Sequence, residues 1–336
     1  ASCLVGSEMC IRDRYATNSN YLTITLASIL SLIENAKILT LHFHIMIENF
    51  SDADYQKIER FFSQYPQATF HLYPIDEFNL SQYGIPFWHG TQVANSRLFF
   101  QEIMKSSLDT IDYLLYLDAD TIIVGDLTSL EQYTEGIYVV RDETTNSYYN
   151  NLNHLQDYFN SGVMYIHLDT WKKMDYQTKI INFIQKNKNI PLTYPDQDIL
   201  NCVLDNQTEW LPLSYNLSPF SYIFSSKKEK LFYNPNKRKI TLEETIEARK
   251  DPKIIHSYGL AGIKPWMDNH INPFNDLFMQ YIEQIEPNYQ KEKLTLFKQL
   301  LTWRKEWFCD FLLAKTYLPD SLQEKAKEFV LYLHNH

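Results

Sequence analysis

Two aspartates with one residue between them, Asp118 and Asp120, follow the apolar run Tyr113-Leu114-Leu115-Tyr116-Leu117. Five consecutive apolar or aromatic residues predict a buried strand of a parallel sheet. The carboxyl end of such a strand is where open α/β sheets bind ligands. Residues i and i+2 of an extended segment point the same way, so both carboxylates are expected to converge on one point. Two such charges repel by roughly 4 kcal/mol at about 4 Å with an effective dielectric of about 20. A divalent cation between them removes that repulsion, and hard oxygen ligands suit Mn2+ or Mg2+. Asp-x-Asp alone also fits a solvated turn, so the remaining chain has to decide.

The chain of 336 residues is long enough for one large domain with appendages or for two. With 45% hydrophobic and 15% aromatic residues it can build a large core, which excludes wholesale disorder. Its 8 glycines include neither GxGxxG nor GxxxxGK[ST], so a glycine-rich phosphate cradle is not expected. A formal net charge of −10 argues against nucleic acid as the main partner, because neutralising phosphates needs a basic surface. The 4 cysteines have neither metal-ligand spacing nor a disulfide-dense pattern, which fits a reducing compartment. No apolar run reaches the ~20 residues of a membrane span. A soluble, cytoplasmic protein is expected.

The first 14 residues show no helical or strand periodicity. Residues 4–14 resemble the translated frame of a transposon-end adaptor from DNA sequencing libraries, and residues 1–14 are expected to be a non-native scar. On that reading the natural first strand is missing, and Cys3 and Cys10 carry no information.

Beyond the scar the elements alternate. Apolar spacing predicts helices over 22–34 and 51–64, the second opened by serine and aspartate caps, with strands over 38–47 and 69–73. This alternation predicts a doubly wound sheet. A loop at 88–90 and a helix around 96–105 lead to the central strand. After it come a short helix at 127–131, a strand at 136–141, a polar lid-like loop at 142–157, and a strand at 162–168. Helices at 170–186 and 198–204 and short strands at 210–213 and 253–256 follow. The charged segment 225–250 is expected to be a surface excursion, and residues from 273 onward a helical C-terminal extension. Within that extension Lys293, Lys298, Arg304 and Lys305 are interleaved with Leu294, Phe297, Leu300, Leu301, Trp303, Trp307, Phe308 and Phe311. Such a helix either lies on an anionic membrane or docks on the core through the same aromatics.

Five further elements bear on Asp118 and Asp120. They are Phe159-Asn160-Ser161-Gly162-Val163, Asp196-Gln197-Asp198-Ile199-Leu200-Asn201, His256-Ser257-Tyr258-Gly259 with Lys264-Pro265-Trp266, the isolated Arg97, and Asn20-Tyr21 closing the first loop. In this order, and over residues 15–266, the set resembles glycosyltransferase family eight, the retaining α-glycosyltransferases that include lipopolysaccharide galactosyltransferases and glycogenin.

The resemblance implies a GT-A fold, a Rossmann-like mixed and mostly parallel sheet flanked by helices, spanning 15–272, with the helical extension over 273–336. It implies a UDP-sugar donor and Mn2+, with Mg2+ as the alternative ion. Asp118, Asp120 and His256 take the places of the metal ligands, and one imidazole with two carboxylates suits that ion. Lys264 and Gly259 match residues beside the diphosphate, where a cation meets developing charge and a glycine lets the backbone approach. Asn18, Asn20 and Tyr21 match the uridine loop, with Ala119 between the two aspartates also on the donor. Arg97, Asn160, Ser161, Asp196 and Gln197 match the surroundings of the donor sugar, where directional hydrogen bonds to hydroxyls are needed. Gln197, Asp196 and Asp198 are the catalytic candidates. An amide is a poor nucleophile, and Asp198, the stronger one chemically, is expected to sit too far away or to orient the helix start, so front-face attack with Gln197 as electrostatic support is expected.

The expected product is a hexose, galactose or glucose, joined to a saccharide acceptor of a cell-surface glycan, lipopolysaccharide or glycoprotein, in a bacterial cell. Peripheral contact with the inner face of the membrane through the C-terminal helices is part of that expectation. Two features depart from the family: Asn18 and Ser19 stand where aspartate is common, and the loop 257–263 is longer than in the galactosyltransferases. A non-catalytic homologue that only binds nucleotide sugar or glycan is the alternative. A haloacid-dehalogenase-like phosphatase also places Asp-x-Asp after an apolar strand, but that motif opens its domain, whereas a domain's worth of chain precedes it here.

Overall fold

The computed structural model describes residues 10–37, 40–86, 91–143, 155, 157–188, 190, 192–235 and 238–317. The elements run β1 (Cys10–Asn18), α1 (Leu22–Asn35), β2 (Thr40–Glu48), α2 (Asp52–Phe62), β3 (Ala68–Pro74), α3 (Phe100–Met104), β4 (Tyr113–Leu117), β5 (Thr121–Ile123) and β6 (Ile137–Arg141). They continue as β7 (Phe159–His167), α4 (Leu168–Lys173), α5 (Tyr176–Lys186), α6 (Pro195–Val203), β8 (Glu209–Trp210), α7 (Phe220–Ile223), α8 (Ser226–Phe232), α9 (Leu242–Lys250) and β9 (Ile254–His256). The C-terminal part contributes α10 (Asn275–Ile285), α11 (Leu296–Leu301) and α12 (Lys305–Tyr317).

Seven strands form one sheet in the order β3-β2-β1-β4-β7-β6-β8, and β5 pairs with β9 in a separate ribbon. The β3, β2, β1 and β4 neighbours are parallel, while β7 runs antiparallel to both β4 and β6. The sheet is therefore mixed, mostly parallel and flanked by helices, as expected. One apolar cluster fills the face covered by α1, and a second fills the face covered by α3 to α6. Residues from Leu22 to Leu32 of α1 are all buried, because α1 is packed between the sheet and α10. Ser51 caps α2 in a reciprocal box with Asp54, an arrangement worth about 1 kcal/mol.

Four expectations need correcting. Residues 10–14, set aside as scar, form the first half of β1, paired with β2 from Cys10 onward and with β4 at Arg12–Arg14. Ladder hydrogen bonds use only backbone groups, so a segment without strand patterning still occupies the gap. Charged 225–250 is not merely a surface excursion. It folds into α8 and α9 and sends Phe232, Tyr233, Arg238 and Ile240 into the interior. The helix expected over 170–186 is two helices, broken at Asp175, whose φ of 51° is left-handed. The helix expected near 96–105 begins as a 3-10 turn, Ala94–Phe99, before α3. The loop expected at 88–90 and most of the lid, 144–154 and 156, lie outside the described residues.

The C-terminal helices dock on the core and leave large apolar side chains exposed. Phe308, Cys309, Leu312 and Leu313 of α12 are buried, whereas Leu296, Leu300, Trp303 and Trp307 are the exposed large side chains, Trp303 at 70%. Among the described residues no helix is long and apolar enough to cross a membrane.

Candidate active site

The two aspartates converge through a turn rather than by strand alternation. β4 ends at Leu117, the Thr121 amide donates back to the Asp118 carbonyl at 3.2 Å, and the chain re-enters as β5 in the other ribbon. Asp118 and Asp120 thus sit at the carboxyl end of β4 with half-buried Ala119 between them. β5 pairs antiparallel with β9, which sets Thr121 opposite His256 and brings the imidazole to the carboxylates.

One ligand atom from each of Asp118, Asp120 and His256 lies within 4.8 Å of the others. The His256 ring is 2% exposed, and its Nδ1 is 2.8 Å from Asn216 Oδ1. The Asn216 amide donates in turn to Asn160 Oδ1 at 3.0 Å, so its oxygen accepts from the ring and Nδ1 carries the proton. Nε2 then presents a lone pair to Asp120 Oδ1 at 3.2 Å and to Asp118 Oδ2 at 3.8 Å. Three electron-rich atoms facing one another call for a cation, and the donor set fits Mn2+ or Mg2+. Gly162 of β7 makes room for this: a Cβ there would fall 2.1 Å from His256 Cε1 and 2.7 Å from Asp118 Oδ2.

Fixed cations surround the same carboxylates. Lys264 Nζ donates to Asp120 Oδ2 and, at 2.8 Å, to the Ser257 carbonyl. Burial would raise the Asp120 pKa, but the Lys264 ammonium beside it holds the carboxyl below its usual range. Lys264 moves the other way: burial would lower its pKa, and the pairing with Asp120 raises it. Arg97 donates from Nη2 to Asp118 at 2.7 Å and from Nε to Asp196 at 2.8 Å, and from Nη1 to the hydroxyl and carbonyl of Ser161. Although burial opposes its charge, the two carboxylates raise its pKa. Arg97 therefore ties the Asp-x-Asp turn to the start of α6.

Proline at the first position of α6 places Asp196, Gln197 and Asp198 in its first turn. Gln197 Oε1 accepts from the Ser161 amide at 2.9 Å, and Nε2 donates to Tyr158 at 3.1 Å and to Asp142 at 3.4 Å. Asp198 faces away from this group. Its oxygens accept from Tyr158 at 2.5 Å and from the Thr193 and Tyr194 amides at 2.7 and 3.0 Å. Burial pushes its pKa up against those bonds.

The loop after β1 lies against the same cleft. Asn18 Oδ1 accepts from the Tyr21 amide at 3.2 Å, capping the 3-10 turn Ser19–Tyr21, while Asn20 is exposed. The Tyr21 ring meets Trp266 edge-on at 5.8 Å, which sets the Asn18–Tyr21 loop beside Lys264-Pro265-Trp266. Gly259, at φ 76°, has no space for a side chain, since a Cβ would lie 2.4 Å from the Phe220 ring.

These contacts link most of the expected site residues, Asp198 through Tyr158, while Asn20 is exposed, and the structure adds several that sequence reasoning did not single out. Asn216 fixes the His256 tautomer, and Tyr116 donates to Asp118 at 2.8 Å. Asp142 faces both Asn160 and Gln197. Buried Glu143 accepts from the Ser218 amide, Ser221 and Tyr233, anchoring the base of the 142–157 segment to the 218–233 region. None had a local signal: a lone asparagine or glutamate in an irregular stretch has no periodicity to betray its partners.

The sequence model of the family described as Glycosyl transferase family 8 matches residues 14–270. The chain is 31% identical over 271 residues to lipopolysaccharide 1,2-glucosyltransferase of Escherichia coli strain K12, covering 78% of this chain and 74% of that protein. It is 27% identical over 216 residues to general stress protein A of Bacillus subtilis, covering 62% of this chain and 71% of that one. Among solved structures, the galactosyltransferase LgtC with donor and acceptor sugar analogs is similar in fold: TM-score 0.64, 20% identity, 83% of this chain and 96% of that one. The bifunctional glycosyltransferase WbbM gives a TM-score of 0.65 at 19% identity, covering 84% of this chain, which spans half of that larger protein.

Proposed function

The chain belongs to glycosyltransferase family 8, and from that premise we propose that it is a metal-dependent retaining hexosyltransferase. It takes galactose or glucose from a UDP-sugar and transfers it to a saccharide acceptor, with lipopolysaccharide favoured by the name of the E. coli relative. One observation carries the reading: Asp118, Asp120 and His256 converge at the carboxyl end of β4, within reach of Lys264, Arg97 and the Tyr21–Trp266 pair.

Asp118, Asp120 and His256 would hold the ion. When bound, Mn2+ or Mg2+ acts as a Lewis acid toward the leaving diphosphate. Lys264 places a second positive charge beside that group, where charge develops as the glycosidic bond breaks. Tyr21 offers a ring face to uracil, and Asn18 and Asn20 offer amide groups to its edge. Gly259 lets the backbone approach the diphosphate, and Ala119 leaves space beside the sugar nucleotide. Arg97, Asn160, Ser161 and Asp196 present a bonded array for the sugar hydroxyls, and Asp142 adds a carboxylate to it.

Both ends of the Gln197 amide are engaged, so it is oriented to stabilise a positive anomeric centre rather than to attack it. The Asp198 carboxylate is consumed by Tyr158 and two backbone amides, which makes it a positioning group for α6 instead of a nucleophile. Front-face attack by the acceptor hydroxyl fits both facts. Exposed Leu296, Leu300, Trp303 and Trp307, among Lys293, Lys298, Arg304 and Lys305, fit peripheral contact with the inner face of an anionic membrane. Vesicles with and without anionic lipid test that contact directly.

The test of the activity is UDP release from a panel of UDP-sugars, with Mn2+ or with chelator. Release from one or two donors, lost with chelator, supports the reading and names the sugar. UDP binding without release, even when lipopolysaccharide acceptors are added, points to the non-catalytic alternative.

A further inference from the structure

The loop between His256 and Lys264 carries an unusual backbone. Four consecutive residues have positive φ: Gly259 at 76°, Leu260 at 45°, Ala261 at 53° and Gly262 at 72°. Two of them have a side chain, and a left-handed conformation costs such residues energy that the surroundings must offset. The ends of the loop are fixed from within the family domain. Asn272 Nδ2 donates to Ser257 Oγ at 3.1 Å and to the Ile263 carbonyl at 3.0 Å, and Phe220 packs on Gly259.

The apex is fixed from outside it. Lys298, on α11 of the C-terminal extension, donates from Nζ to the Gly262 carbonyl at 3.0 Å. This is the only hydrogen-bond partner of the Lys298 ammonium among the described residues. The ammonium is half-buried and close enough to Lys264 that both burial and that neighbouring charge lower its pKa. Glu292 offsets part of that repulsion, and the bond to the Gly262 carbonyl holds the ammonium at the loop that precedes Lys264.

We propose that Lys298 is a positioning residue for the donor diphosphate: by holding the Gly262 carbonyl it sets the left-handed run that aims Lys264, so the C-terminal extension controls donor affinity. The proposal rests on the UDP-sugar reading above and deepens it. It also gives the longer 257–263 loop a reason to need support that a shorter connection does not.

The experiment compares wild type, Lys298→Met and Lys298→Arg on the full chain, by calorimetric titration with UDP and, separately, with uridine in the presence of Mn2+. Lys298→Met is expected to weaken UDP binding about tenfold, leave uridine binding unchanged, and raise the donor KM more than it lowers kcat. Lys298→Arg, which keeps a donor at the carbonyl, is expected to restore most of the UDP affinity. Equal UDP affinity in wild type and Lys298→Met overturns the inference, as does an equal loss for UDP and uridine, which marks a general disturbance of the cleft. A parallel melting curve separates this from misfolding; if Lys298→Met melts early, Lys298→Gln with its shorter polar side chain takes its place under the same criteria. Failure of the wild type itself to bind UDP sinks the donor reading, and this inference with it, whereas the other outcomes leave that reading intact.

Discussion

Two sets of charged groups in and beside the central sheet have opposite outcomes. At the end of β4, Asp118 accepts from Arg97 and Tyr116 and Asp120 from Lys264, with the His256 ring beside both. One strand away, inside β1, Asp13 is fully buried, and neither of its carboxylate oxygens has a hydrogen-bond partner among the described residues. Its neighbour Arg14 reaches the Ser96 carbonyl and Met46 sulfur and lies against Phe100 and Tyr116, but its Nε is unpaired. Adjacent residues of a strand face opposite sides of the sheet, so Asp13 and Arg14 cannot neutralise each other. Burial pushes the Asp13 pKa well up, and burial with the neighbouring Arg97 charge lowers Arg14 to about 9, against the pull of Tyr116. The difference teaches that buried charge is organised where the fold has a use for it and is a cost where it has none.

Breaking the organised side should have the largest effect. Asp120→Asn removes a ligand and leaves Lys264 without its carboxylate partner, so UDP release should fall by about a thousandfold, or roughly 4 kcal/mol of barrier. A variant that keeps more than a tenth of the wild-type rate would separate the Asp-x-Asp turn from the chemistry. On the other side, Asp13→Leu should stabilise the protein by roughly 1–3 kcal/mol in urea unfolding, by removing an unsatisfied buried group. No gain in stability would mean that the carboxylate has found partners after all.

The same contrast has a pH signature. Because the folded pKa of Asp13 is raised, its proton is lost first in the unfolded chain. Stability relative to Asp13→Leu is therefore highest below the unfolded value of about 4, falls as pH rises toward the folded pKa, and is constant beyond it. Unfolding free energies of both proteins across that range give the difference directly; a gap that narrows with rising pH contradicts the assignment. Smaller again is the effect of Asn216→Leu, which frees the His256 ring to change tautomer. It should weaken Mn2+ binding about 10- to 100-fold, read by titration of the ion without any donor. An unchanged affinity would show that the ring is oriented by packing alone.

Much of the site was legible because its motifs are local. Asp118-Ala119-Asp120, Asn160-Ser161-Gly162 and Asp196-Gln197-Asp198 each occupy the end of an element, and such short patterns survive in a linear reading. What each residue touches was not legible. Asp198 was the better nucleophile on chemical grounds, yet backbone amides and Tyr158 occupy it. Residues 10–14 have no strand pattern, yet the gap between β2 and β4 makes them a strand. The 225–250 segment is charged enough to suggest solvent, yet Phe232, Tyr233, Ile240 and Arg238 are buried, with Tyr233 and Arg238 bonded to Glu143.

The sequence by itself determined the family, the mixed α/β architecture and the identity of the candidate ligating side chains, since side-chain chemistry and the 2- and 3.6-residue periods are written residue by residue. Only the tertiary structure decided which partner each buried polar group has: His256 on Asn216, Arg97 between Asp118 and Asp196, Lys298 on the Gly262 loop, and Asp13 on nothing. Those pairings join residues 21 to 99 positions apart, and a hydrogen bond depends on where the folded backbone brings two atoms, a distance that no local pattern encodes.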